Sequence, residues 1–142
     1  NMMNSLIVGC LKVGMAVSVA CPEGYRPPQE ILDFAGAYDC FELTDDPLTA
    51  AKDADVVITD VWTSMGQEEE RAAREKAFAG YCVDDRIMAA AKPDAIVQHC
   101  LPAHRGEEIT EAVFEANAAP IFDEAENRLH AQKAVMVMLM KD

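Results

Sequence analysis

The sequence predicts an α/β fold, a doubly wound (Rossmann-like) parallel sheet with helices on both faces. Three observations predict this class. Short apolar segments alternate with helical stretches along almost the whole chain, the clearest of these segments is rich in β-branched residues, and no internal repeat or linker interrupts the order. Strands that are apolar on both faces must be covered on both faces, as they are by the helices around a parallel sheet.

The first third of the chain alternates between the two element types. Apolar residues at helical spacing predict helices, and short apolar runs predict strands. A helix over Met2–Val13 leads into a strand over Met15–Ala20. A second helix, Pro28–Ala35, is followed by a short strand, Cys40–Leu43, and a short helix, Pro47–Lys52.

The clearest strand signal is Asp55–Asp60, which reads DVVITD and is nearly all apolar. A charged helix over Gln67–Phe78 and a shorter helix over Asp84–Ala91 follow it. A Pro-Asp pair then leads into a second clear strand, Ala95–Gln98. The chain ends with two predicted helices, Thr110–Asn117 and Glu124–Met140.

The predicted order begins with a helix, whereas a doubly wound fold normally begins with a strand that feeds its first helix. We therefore expect residues 1–142 to form one domain whose sheet lacks its first strand, because the sequence is cut just upstream of Asn1.

Composition narrows the classes of function. Lys and Arg number 12 against 25 Asp and Glu, a net charge of −13, which disfavours binding to nucleic acid or to anionic membranes. The longest apolar run, Ala134–Met140, is far shorter than the roughly 20 residues of a membrane helix. The 5 cysteines are scattered, with no CxxC pair or Cys/His cluster, so we expect reduced thiols in a cytoplasmic protein and no metal site.

Three places are candidates for chemistry, because ligands of parallel α/β sheets bind beyond the carboxyl ends of the strands. The first is Asp60 with the loop that follows it, and the second is the segment His99-Cys100-Leu101-Pro102. The third is the start of the first helix at Asn1, where free N–H groups and the helix dipole favour an anion.

Each candidate also has a structural interpretation. Asp60 is equally suited to capping a turn, Cys100 to packing as a small apolar residue, and His99 to a structural hydrogen bond. Asn1 is a suitable helix cap, and Arg128 has Glu124 one turn earlier as a surface partner. Neither a GxGxxG fingerprint nor a phosphate-binding GxxxxGK[ST] loop occurs, so the sequence predicts no nucleotide cofactor.

Taken together, four segments are more specific than any single residue. In order they read NMMNSL from Asn1, DVWTSMGQE from Asp60, HCLP from His99 and EAENR from Glu124. Over its whole length the chain resembles the C-terminal, ornithine-binding domain of ornithine carbamoyltransferases. The Ser-Met-Gly part of the second segment resembles the ornithine-specific loop, which differs in relatives acting on putrescine or acetylated ornithine.

The resemblance implies an activity, the transfer of a carbamoyl group from carbamoyl phosphate to the δ-amine of L-ornithine, giving citrulline and phosphate. It implies no cofactor and a homotrimer in the full-length enzyme. The N-terminal domain of the family, with its Ser-Thr-Arg-Thr-Arg phosphate loop, has no counterpart in these residues. We therefore expect the isolated chain to be inactive.

The same resemblance assigns roles to individual residues. Asn1 matches the asparagine that holds the ornithine carboxylate, and Asp60 the carboxylate that receives the α-ammonium. Cys100 matches the thiol beside the reacting amine. The remaining matches are Ser64 and Met65 in the loop that closes over the amino acid, His99 near the carbamoyl group, Leu101 with a carbonyl for the carbamoyl NH₂ after a cis bond to Pro102, and Arg128 at the carbamoyl oxygen.

Two alternatives stay open at this point. One is a non-catalytic module that binds an amino acid, and the other is a carbamoyltransferase for a different amine. A nicotinamide-dependent dehydrogenase of similar fold is disfavoured, because the glycine fingerprint is missing from the sequence.

Overall fold

The computed structural model of the chain describes residues 1–63, 66 and 68–141. Its strands are β1 (Val17–Ala20), β2 (Phe41–Thr44), β3 (Val56–Thr59) and β4 (Ile96–His99). Its helices are α1 (Met2–Lys12), α2 (Gln29–Ala35), α3 (Pro47–Ala51), α4 (Arg71–Ala77), α5 (Asp85–Ala90), α6 (Glu111–Ala116) and α7 (Ala118–Met140). Short 3₁₀ turns over Glu23–Tyr25 and Glu68–Glu70 complete the described elements.

The strands pair in parallel, as the α/β prediction requires. β1 pairs with β2, from Val17 opposite Phe41 to Ala20 opposite Thr44. β3 pairs with β4, from Val56 opposite Ile96 to Thr59 opposite His99. The α/β class is thus confirmed, but the strands form two separate two-stranded sheets.

The two separate sheets border a common cavity of about 1140 Å³. Every residue of β1 and of β3 lines this cavity, which we call the central cavity. The two strands therefore border a common space and do not share backbone hydrogen bonds. α3 packs against β1, β2 and α5, and so connects the two sheets on one side.

The apolar core is divided in the same way. The smaller cluster is centred on Ile7 and Leu11 of α1 with Ala35 of α2, and side chains of β1 and β2 pack against it. The larger cluster surrounds β3 and β4 and includes Val97, Ile109, Phe114 and Ile121. The sequence order explains this division, because each cluster is built from one continuous half of the chain.

Side-chain caps fix most of the helix starts. Asp46 accepts hydrogen bonds from two backbone N–H groups of α3, Asp84 does the same for α5, and Thr110 caps α6. α7 begins six residues earlier than the sequence predicted, at Ala118. Pro120 lies in its first turn, where a missing N–H costs no helical hydrogen bond, so this proline does not end the helix.

The long helix α7 is packed at one end only. Ile121, in its first turn, is buried, whereas Leu139 and Met140 near its end are 81% and 80% exposed. Despite its length, α7 is not apolar enough to cross a membrane, and neither is any other helix in the described residues.

Candidate active site

The first feature of the site is the contact between Asp60 and Cys100. Thr59 and His99 are opposite one another at the ends of the parallel strands β3 and β4. The next residue of each strand therefore leaves the sheet at the same edge. There the thiol of Cys100 donates a hydrogen bond to Oδ1 of Asp60, at 3.0 Å. The two strand-end candidates of the sequence thus meet, as the strand-end rule predicts.

Burial next to negative charge keeps the Cys100 thiol protonated. Loss of solvent raises the pKa of Cys100, and the hydrogen bond to Asp60 and the charges of Asp60 and Glu124 raise it further, to about 12. A thiol at neutral pH with this pKa is a hydrogen-bond donor and a poor nucleophile. The same Asp60 oxygen also accepts the Val61 N–H at 2.8 Å, so Asp60 caps its turn as well as binding the thiol.

Arg128 of α7 joins the same group. Its Nη2 donates a hydrogen bond to the backbone carbonyl of Cys100 at 2.8 Å. The surface pair with Glu124, considered from the sequence, is not formed: the ion pairs of the described residues do not include it, and Glu124 Oε2 is buried without a hydrogen-bond partner. Asp60, Cys100 and Arg128 therefore lie together, on β3, β4 and α7.

Asn1 lines the same central cavity as Asp60 and Cys100. Asn1, Asp60, Cys100 and Glu124 all line the cavity. The side chain of Asn1 caps α1, its Oδ1 accepting the Met2 N–H at 2.6 Å. A carbonyl cap leaves the amide NH₂ of Asn1 free to donate, so capping and binding of an anion are compatible.

His99 has the structural role that was one of its two interpretations. The residue is fully buried. Its Nδ1 accepts the Leu101 N–H at 2.9 Å, which leaves the proton on Nε2, 3.0 Å from Oε1 of buried Glu108. Glu108 also accepts the His104 N–H at 2.6 Å. His99 and Glu108 thus hold the loop that presents Cys100 and Leu101.

The charge state of Glu108 fits this role. Burial by itself raises the pKa of a carboxyl, but hydrogen bonds from His99 and the His104 N–H outweigh it, so the pKa of Glu108 is lowered. The Leu101–Pro102 bond is cis, as the resemblance implied, and Leu101 has a positive φ of 55°.

The loop after β3 is anchored by aromatic and cationic contacts. Trp62 stacks on Phe78 with ring centroids 5.9 Å apart, and Arg74 donates to the Trp62 carbonyl at 3.1 Å. Arg74 also lies over the ring of Tyr25, 5.1 Å from its centroid. At least one charged side chain of this helix, Arg74, therefore packs against the rest of the protein. The predicted loop residues Ser64 and Met65 lie outside the described residues.

Among the described residues, His104, Glu107 and Glu108 form a group with potential metal-ligand atoms within 4.8 Å of one another. Two of the three are already engaged. Glu107 pairs with Arg71, and Glu108 accepts hydrogen bonds from the His99 ring and the His104 backbone. These contacts give the group a structural role at the base of the Cys100 loop.

Two residues of the site were not predicted as site residues. Glu108 lies in a polar stretch with no pattern that distinguishes it from Glu107, so no sequence signal identifies it. Glu124 had a usable signal, because a residue four positions before Arg128 shares its helix face. The sequence suggested an ion pair at this spacing. In the structure, Arg128 donates to the Cys100 carbonyl, and the charge of Glu124 raises the pKa of the Cys100 thiol.

Comparison with known proteins agrees with the fold and the site. Residues 1–139 match the family described as aspartate/ornithine carbamoyltransferase, Asp/Orn binding domain. The ornithine carbamoyltransferase of Geobacter metallireducens is 54% identical over 143 residues, covering 99% of this chain and 47% of that protein. That of Campylobacter fetus is 56% identical over 142 residues, covering 96% of this chain and 46% of that protein.

Solved structures give the same result. The anabolic ornithine carbamoyltransferase of Campylobacter jejuni superposes with a TM-score of 0.93 at 42% identity, over 98% of this chain and 48% of that one. The ornithine carbamoyltransferase of Pyrococcus furiosus gives 0.83 at 48% identity, over 94% and 44%. The chain spans about half the length of the relatives it matches, 47% for the one from Geobacter. The resemblance deduced from the sequence is confirmed: the chain belongs to the aspartate/ornithine carbamoyltransferase family.

Proposed function

We propose that this chain provides the ornithine-binding side of an ornithine carbamoyltransferase, which converts carbamoyl phosphate and L-ornithine to L-citrulline and phosphate. The main support is the convergence of Asp60, Cys100 and Arg128 at the strand ends, beside a cavity that Asn1 also lines. Relatives named ornithine carbamoyltransferase support the same activity. We also propose that residues 1–142 form one domain of the complete enzyme.

In this proposal Asp60 and Asn1 bind the amino-acid end of ornithine. Asp60 Oδ1 accepts from the Cys100 thiol and the Val61 N–H. Among the described residues no donor contacts Oδ2, which in this proposal accepts the α-ammonium in a charge-assisted hydrogen bond. The Asn1 NH₂ and the first N–H groups of α1 donate to the α-carboxylate. Asp60 and Asn1 together bind the two charged groups carried by the α-carbon of ornithine.

Cys100, Leu101 and Arg128 act at the reacting end. The neutral Cys100 thiol is a dipole beside the attacking amine, and no covalent thiol intermediate is required. The Leu101 carbonyl accepts a hydrogen bond from the carbamoyl NH₂. The Arg128 guanidinium, held by the Cys100 carbonyl, stabilises negative charge that develops on the carbamoyl oxygen. His99 holds this loop in place by accepting the Leu101 N–H. The resemblance adds Ser64 and Met65 as residues that close over the amino acid.

A chimaeric protein tests the activity. The N-terminal half of the Geobacter relative is fused before Asn1, and citrulline is measured with carbamoyl phosphate and L-ornithine. We expect citrulline from the fusion and none from the chain alone, because phosphate-binding residues are supplied by the added half. Arg128→Gln in the fusion should lower kcat by roughly 100-fold or more.

Asp94→Asn, at an exposed carboxylate before β4, is the control for the Arg128 variant and should leave kcat unchanged.

Two further measurements test the alternative functions. Putrescine in place of ornithine should give no product if the Ser64-Met65-Gly66 segment selects ornithine. Ornithine binding by a folded fusion that forms no citrulline would instead support a non-catalytic amino-acid-binding module.

We also propose that the complete enzyme is a cytoplasmic homotrimer. The trimer follows from the family resemblance described above. The cytoplasmic location is supported by the cysteines, all five of which are free thiols in the described residues. Sedimentation of the fusion protein should give the mass of three chains.

A further inference from the structure

We infer that Glu124 binds the side-chain ammonium of the substrate, and so makes the site select an amino acid with two amino groups. This inference rests on the proposed function. It adds a residue for which the sequence suggested only a surface ion pair. Three observations lead to it: a buried carboxylate oxygen without a partner, its position on the cavity wall, and its electrostatic influence on Cys100.

The Oε2 atom of Glu124 is buried and has no hydrogen-bond partner in the described residues. A carboxylate oxygen withdrawn from solvent without a donor is unfavourable, so native proteins usually supply a partner. The nearest cationic candidate on the same helix face, Arg128, donates to the Cys100 carbonyl. A donor from a bound molecule is therefore the partner that this oxygen is placed to receive.

The location of Glu124 matches the reacting end of ornithine. Glu124 lines the central cavity together with Cys100, and its negative charge helps to raise the pKa of Cys100. The other carboxylate that acts on this thiol is Asp60, to which the thiol donates a hydrogen bond. Asp60 and Glu124 are thus two carboxylates whose charges act on one neutral thiol.

Charge matching then assigns the two carboxylates. Ornithine has two ammonium groups and one carboxylate. Of the carboxylates that line the cavity, Asp60 and Glu124 are the two whose charges act on Cys100, and Asn1 adds its side-chain amide to the cavity wall. Asp60 receives the α-ammonium in the proposed function, so Glu124 is left for the side-chain ammonium. An ammonium must lose one proton before its nitrogen attacks, and a carboxylate hydrogen-bonded to it is a suitable acceptor.

Ligand binding to the chain itself tests the inference. L-ornithine and L-norvaline share the same amino-acid end, but norvaline has no side-chain amine. We would titrate each into the wild-type chain, Glu124→Gln and Glu126→Gln, following amide shifts by NMR. Glu126 is the matched control, because it is exposed on the same helix and its one ion-pair partner among the described residues is His130.

We expect Glu124→Gln to weaken ornithine binding about tenfold or more and norvaline binding less than about twofold, because only ornithine loses a charge-assisted hydrogen bond. Glu126→Gln should change neither. Equal weakening of both ligands, or unchanged ornithine binding, would overturn the role of Glu124 and leave the proposed function standing. If the folded wild-type chain binds neither ligand, the proposed ornithine-binding function fails, and the inference fails with it.

Discussion

Cys100 shows how the surroundings of one side chain determine its chemistry. A free cysteine thiol is a nucleophile near neutral pH because part of it is ionised. Burial, the Asp60 hydrogen bond and two nearby carboxylates raise the pKa of Cys100 to about 12 and remove that reactivity. The residue therefore remains a neutral donor beside the proposed reacting amine.

Alkylation tests this description. At pH 8, iodoacetamide should modify Cys100 much more slowly than exposed Cys40. Asp60→Asn should accelerate the modification of Cys100, because it removes a carboxylate that raises the pKa of the thiol. Mass spectrometry after timed labelling gives both rates, and Asp94→Asn is the control. An unchanged rate of Cys100 modification in Asp60→Asn would contradict the conclusion that Asp60 raises the pKa of this thiol.

The same pKa has a consequence for stability. Because the pKa of Cys100 is higher in the folded protein than the roughly 8.5 of an unfolded chain, the protonated thiol favours the folded state below about pH 8.5. That contribution is lost as the pH rises through the interval up to about 12. Asp60→Asn lowers the folded pKa, so the loss of stability at alkaline pH should be smaller in that variant.

Residue positions were predictable where one rule applied to them directly. The strand-end rule brought Asp60 and Cys100 together from the sequence alone. The roles of His99 and Glu108 depend on a loop that returns over nine residues to place two side chains in contact, and no local pattern encodes such a return. The pairing of Arg128 with the Cys100 carbonyl depends on the packing of α7 against β4, which the sequence does not specify.

At the scale of the elements, α7 is the least uniform. Its first turns pack on β4 with Ile121 fully buried, whereas Val137 and Leu139 are largely exposed. A helix is held mainly by tertiary packing of one face, so its two ends should differ in local stability.

Hydrogen exchange measures this difference. Amides in residues 130–140 should exchange faster than amides in residues 120–125, because the later turns open without disturbing buried contacts. Peptide-level mass spectrometry at several times would resolve the two ends of α7. Helix α1, which is shorter but has Ile7 and Leu11 buried, serves as the internal control and should exchange slowly. Uniform protection along α7 would show that its exposed end is held by another contact.

Most elements were predicted within a few residues, because the apolar patterns that identify them are local. α7 was predicted to begin at Glu124 and begins at Ala118, since the pattern does not show that Pro120 is compatible with a first turn. The 3₁₀ turn at Glu23–Tyr25 was missed, because three residues contain no periodicity.

At the scale of the whole molecule, the apolar clusters divide the chain into two halves. Leu11 belongs to the cluster of α1 and α2, and Ile109 to the cluster around β3 and β4. Both residues are almost fully buried, at 1% and 0% exposure. Truncation of either to alanine should cost about 2–5 kcal/mol of unfolding free energy.

The two truncations should lower hydrogen-exchange protection in different parts of the molecule. Leu11→Ala should lower the hydrogen-exchange protection of β1 and β2 more than that of β3 and β4, and Ile109→Ala should do the reverse. Each variant is the control for the other, since both remove buried methyl groups. If both variants lower protection equally throughout, the halves unfold as one cooperative unit and the division of the core has no thermodynamic meaning.

The α/β class was predictable because continuous apolar strands alternating with helices allow few other arrangements. The division into two sheets could not be predicted from the sequence. Strand pairing depends on which strands are neighbours in space, whereas the sequence gives only their order along the chain.

Because β1 and β3 are not hydrogen-bonded to each other, backbone N–H groups of β1 remain on the side of the strand away from β2. The N–H groups of Val17, the first residue of β1, and of Cys21, the residue directly after β1, donate to carbonyls on the β2 side. Because successive residues of a strand direct their N–H groups to opposite sides, those of Ser18 and Ala20 point away from β2. The cavity wall thus includes backbone donors, and no side-chain substitution short of proline removes them.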